Sequence, residues 1–242
     1  MGMIYHVLPG DSLVREFEEA GIEGKAIVFR ECLVDGDISA ASLDEFWNIR
    51  ANFIELEYGG DPIQYRESVA YELERLTHVD DDDEINLWFE YELFCSANMW
   101  FCLDLLKGCG AKVFRVMPVN VSPDDVWMGF SQHDAEGLKA CFESRTAFTP
   151  EDLIIGSNLW HAFADKDSET LRDLGKYRSP SFPFLEEVTK AAAEIDHRPM
   201  EVIREVMETG ATEMSEVFPE FKKRAGVYGF GDSQVERLLG RV

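Results

Sequence analysis

The chain has 242 residues, 45% of them hydrophobic, enough for one large domain or for a main domain with a smaller appendage. Its formal charge of −24, from 23 basic and 47 acidic residues, argues against a protein whose main work is to grip nucleic-acid phosphates. No apolar run approaches the roughly 20 residues of a spanning helix, and the opening MGMIYHVLPGDS lacks a basic stretch followed by a long apolar one, so a cytoplasmic protein without a membrane span is expected.

In chain order, MIYHVL (3–8), Gly-Asp-Ser and LVREFEEAG predict strand, tight turn and helix, with Gly21 as the stop. KAIVFR (25–30) predicts a second buried strand, and Ser42 stands at the N-cap of a helix running through ELEY. A further helix is predicted over Pro62 to Thr77, with Pro in its first turn. The acidic run VDDDDE lacks the spaced ligands and sharp Gly turn of a calcium loop and reads as a solvated loop before the strand INLWFE. YELFCSANMWFCLDLLKGCG predicts a helix apolar on nearly every side, and AKVFRVMPV a fourth strand. Cys95, Cys102 and Cys109 recur every seven residues, a stripe that reads as core; no metal site is expected from them, and no cofactor is assigned.

Beyond about residue 130 the patterns are helical, with no further strand expected. The chain therefore predicts an α/β fold: a Rossmann-like, mostly parallel sheet with helices on both faces over residues 1–130, a helical extension over 131–197, and a small helix-turn-helix-like unit over 198–242. The last unit holds seven basic and eight acidic residues, so the acidity belongs to the main body. Lys222-Lys223-Arg224 followed by GVYGFGD suggests a basic helix end and a wing, which gives a transcription-linked regulator as one alternative function. The near-zero balance of the unit and the acidic body weigh against nucleic acid as a partner; a protein partner is the third possibility.

Polar residues inside otherwise apolar blocks mark the candidate site. Ser12, Arg30 and Glu90 follow three strands and fall on one edge of a parallel sheet, with Asp11 and Asn98 nearby in sequence to the same blocks. One hydroxyl, one guanidinium and carboxylates there suit a small anionic or zwitterionic ligand, aided by the free amides of the first helix. The alternative is a structural ion pair between Arg30 and Glu90, with Asp11 or Ser12 as a plain helix cap.

Gly10-Asp11-Ser12-Leu13 also spells the motif of a family of serine esterases and lipases. That chemistry needs a base and an acid to orient it, which the family carries as Asp-x-x-His, and an oxyanion donor on Gly-x-Asn. Here Gly156-Ser157-Asn158 lies in a helical pattern, and the five histidines are preceded at three positions by Met3, Arg75, Phe130, Asn158 and Glu194. The base is missing, and no catalytic residue is assigned.

Five blocks together resemble a bacterial family catalogued as domain of unknown function 1835: HVLPGDSL, AIVFRECLVDGDI (26–38), INLWFEYELFCSANMWFCLDLL (85–106), CFESRTAFTPEDLIIGSNLWHAFADKD (141–167) and GFGDSQVERLL (229–239). They cover most of the chain. Glu31-Cys32 and Gly36-Asp37 stand where relatives often have Asp-Asp and Gly-Pro. The resemblance implies a Rossmann-like first part and a helical last part, and no established activity.

Overall fold

The computed structural model describes residues 2–242, apart from the side chain of Asp124. Five strands form one sheet: β1 (Ile4–Leu8), β2 (Lys25–Val28), β3 (Glu84–Trp88), β4 (Lys112–Val116) and β5 (Thr146–Ala147), in the order β2-β1-β3-β4-β5. The first four are parallel, and β5 runs antiparallel to β4. Only β5 was not expected; two residues are too short for an apolar alternation to register.

The pleat sorts side chains to two apolar clusters. His6, Leu8 and Trp88 face one side, where α1 (Val14–Ala20) packs on a later helix, α6 (Ala135–Glu143). Val7, Ile27, Ile85, Leu87 and Val113 face the other, larger cluster. That side takes α2 (Leu43–Tyr58), the helical run 62–78, α5 (Leu93–Leu105) and α7 (Pro150–Ala164). α5 is buried on nearly every side because the sheet lies under it and α7 over it. The run 62–78 is not one regular helix: α3 (Pro62–Tyr65) and α4 (Tyr71–Glu74) flank a π-turn at Arg66–Ala70, where the Ser68 hydroxyl donates back to the Gln64 carbonyl at 2.7 Å. The acidic run before β3 is not wholly solvated either, since buried Asp83 accepts the amides of Met3 and Asp80 at 2.7 and 2.9 Å.

The chain then continues through α8 (Ser168–Leu174), α9 (Leu185–Ala193), α10 (Arg198–Glu208), α11 (Met214–Ala225) and α12 (Asp232–Leu239). Val202, Ile203, Val206, Val217, Phe221 and Val235 are at most 1% exposed and belong to the same cluster as Val7 and Ile27. The expected wing is not formed. Residues Gly226–Tyr228 make a 3-10 turn, Tyr228 is buried, and Phe230 stacks on Phe221. No helix among the described residues is long and apolar enough to cross a membrane.

Candidate functional site

Parallel sheets of this kind present their loops at the carboxyl ends of the strands. After β1, Gly10 is extended and Asp11–Leu13 form a 3-10 turn that leads into α1. Neither Asp11 nor Ser12 caps the helix with its side chain. The Asp11 carboxylate instead accepts Arg30 Nε at 2.9 Å and a terminal guanidinium nitrogen at 2.8 Å. Arg30 therefore pairs with Asp11 and not, as the structural alternative had it, with Glu90. Arg30 is 37% and Asp11 65% exposed on their side chains, so solvent screens the pair. The Ser12 hydroxyl is exposed, and no histidine hydrogen-bonds to it among the described residues.

After β2 the chain turns inward. Glu31 is fully buried in its side chain, and its carboxylate accepts Arg50 Nε at 2.8 Å, another Arg50 nitrogen at 2.7 Å, the Tyr65 hydroxyl at 2.6 Å and the Cys32 amide at 2.7 Å. Arg50 also donates to the carbonyls of Cys32 and Asp35. The Asn98 amide from α5 donates to the Glu31 carbonyl at 3.1 Å and accepts the Leu33 amide at 3.3 Å. Asn98 is therefore spent on positioning residues 31–33.

After β3, Glu90 and Glu92 flank Tyr91, and Glu92 caps α5 by accepting the Cys95 amide at 3.1 Å. Glu90 accepts the Phe130 amide at 2.5 Å and the Cys95 thiol at 3.8 Å. One donor atom each of Glu90, Glu92 and Cys95 lie within 4.8 Å of one another. Burial, then the neighbouring Glu90, pushes the Glu92 carboxyl up to about 8; burial raises Glu90 as well and holds the Cys95 thiol protonated. Two glycines close over the carboxylates. A Cβ on Gly129 would meet the Glu90 carboxyl at 1.9 Å and one on Gly229 the Glu92 side chain at 2.5 Å, and both residues have positive φ, 61° and 68°. Arg115, buried under this loop, gives its terminal nitrogens to the carbonyls of Glu90 and Ser181 at 2.9 and 2.6 Å.

The tail folds back over this same edge. Gly229 sits on Glu92, Gln234 donates to the Cys32 sulfur at 3.5 Å, and Arg237 pairs with Asp35 and donates to the Tyr58 hydroxyl at 2.7 Å. Two cavities result. The larger, about 730 Å³, lies between residues 33–38 and the helices α7 to α10 and α12, and the other, about 240 Å³, lies between Glu90, Glu92 and the segment Phe218–Gly231. A third, about 550 Å³, opens at the far end of β4, and a fourth is a void of about 10 Å³ beside Arg115. Neither Ser12 nor Arg30 lines any of the four.

Of the five residues read from the sequence, Asp11 and Arg30 are brought together, Ser12 stands beside them, and Glu90 and Asn98 belong to separate arrangements. Glu92, Cys95, Arg50 and Arg237 were missed. Glu92 and Cys95 carry one usable signal: an acid at N-cap with a thiol three residues on puts both on the first turn of a helix. Arg50 and Arg237 carry none, because each lies on a helix with exposed polar neighbours. No family model, curated protein or solved structure matches the chain.

Proposed function

We propose that the protein binds a small molecule with an anionic group and an apolar body in the 730 Å³ cavity at the carboxyl edge of the sheet. The observation that carries this reading is Arg241. It lines the cavity, is exposed, and its guanidinium has no hydrogen-bond or ion-pair partner among the described residues, whereas Arg237 is neutralised by Asp35 and Lys166 by Asp196. Leu33, Ile38, Phe163 and Leu171 supply an apolar floor. The reading keeps the ligand class expected from the sequence and moves the site along the edge from Ser12 to the end of β2.

Three of the sequence blocks that resemble domain of unknown function 1835 meet here: 26–38 through Leu33 to Ile38, 141–167 through Phe163 and Lys166, and 229–239 through Phe230, Gln234 and Arg237. Membership of that family is part of the same proposal. Thermal melts of the parent and Arg241→Glu against a panel of small carboxylic and phosphorylated acids test it. At least one acid should raise the parent's melting temperature, with a gain of about 2.7 kcal/mol at a hundredfold excess over its Kd, and should leave the variant unmoved. A panel that shifts neither protein, or both equally, overturns the reading.

A further inference from the structure

The loop after β3 holds a donor set that the small-ligand cavity does not use. We propose that Glu90, Glu92 and Cys95 bind one divalent transition-metal ion, with a further coordination position open to the 240 Å³ cavity. Glu92 and Cys95 occupy the N-cap and third positions of α5, so the first helical turn sets their spacing, and Glu90 approaches from the strand end. Around a tetrahedral ion with metal–oxygen bonds of about 2.1 Å and metal–sulfur bonds of about 2.3 Å, donors stand about 3.4–3.8 Å apart. The present spread of at most 4.8 Å, with Cys95 sulfur already 3.8 Å from Glu90, needs only side-chain adjustment.

Charge supplies an independent reason. Glu92 is 4% exposed and lines the cavity, and neither it nor Glu90 has an ion-pair partner among the described residues. The nearby guanidinium of Arg115 gives its terminal nitrogens to two carbonyls and makes no hydrogen bond to either carboxylate. Burial disfavours the charged form of acids placed side by side, and an ion at their centre would offset that cost. On the same side, His133 donates from Nε2 to the Val119 carbonyl at 2.8 Å, and its buried Nδ1 has no hydrogen-bond partner. Gly129 and Gly229 pack their backbones directly on the two glutamate side chains, which holds Glu90 and Glu92 in place. A thiolate among the donors selects zinc, iron(II) or cobalt(II) over magnesium and calcium.

The test uses cobalt(II) on the full-length, chelator-treated protein. The parent should bind one ion per chain and show a thiolate-to-cobalt charge-transfer band, which Cys95→Ser should abolish. Glu92→Gln keeps an oxygen for the helix cap and removes a charge, so it guards against misfolding: with an unchanged circular dichroism spectrum, it should bind cobalt at least about tenfold more weakly. A parent without the band, a band that survives Cys95→Ser, or parent-like binding by folded Glu92→Gln overturns the site.

Discussion

Arg30 and Arg50 are two arginines, each paired with one carboxylate, and the physical chemistry separates them. Arg50 and Glu31 are 0% exposed on their side chains, and five hydrogen bonds from Arg50 fix the carboxylate and the carbonyls of Cys32, Asp35 and Asp37. Removing one partner leaves a buried charge, so Arg50→Leu should destabilise by about 3–5 kcal/mol in urea unfolding. Arg30→Ala should cost under about 1 kcal/mol in the same measurement, because water and salt already screen its contact with Asp11. Equal losses would contradict this assignment. His6 is a third case. Trp88 can only donate, so its indole N–H at 3.1 Å makes Nδ1 the acceptor, and Nε2–H then donates to the Glu23 carbonyl at 3.0 Å. A second proton would face the indole N–H, and burial lowers the pKa below 6.5. The unfolded state therefore binds the proton first. Stability is fully present above about pH 6.5 and is lost as pH falls through the folded pKa. Melting temperatures from pH 8 to 5 should show this decline, and it should be shallower in His6→Gln.

At the scale of elements, the tail acts as a roof on the sheet edge. α10, α11 and α12 bury Ile203, Val206, Val217 and Val235, while Gly229, Gln234 and Arg237 touch Glu92, Cys32 and Asp35. Both cavities of that edge take walls from these helices or the turn between them. Ending the chain at residue 197 would expose that apolar surface and open both cavities. The truncated chain should lose cooperative unfolding in a thermal melt and bind a hydrophobic dye; a sharp transition matching that of the full chain would show the tail to be dispensable for folding.

Across the whole molecule, the four parallel strands and the helix starts at Ser42 and Pro62 were legible, because each depends on local period and punctuation. Val7 and Leu87 alternate with His6 and Trp88, Gly21 ends α1 at a φ of 63°, and Ser42 caps α2. Which residues line a cavity at that edge was not legible. Ser12, Arg30 and Glu90 do share the carboxyl edge, but which side chains meet there depends on neighbouring strand order and on a tail some 200 residues away. Asp11 takes Arg30 because β1 and β2 are neighbours, and Glu31 is taken by Arg50 of α2. The sequence by itself determined the α/β class and the acidic body, since composition and periodicity carry them. Only the tertiary structure decided that Glu90, Glu92 and Cys95 form one cluster and that Gly229 to Arg241 roof the edge, because contacts between distant segments follow from packing, which no local pattern encodes.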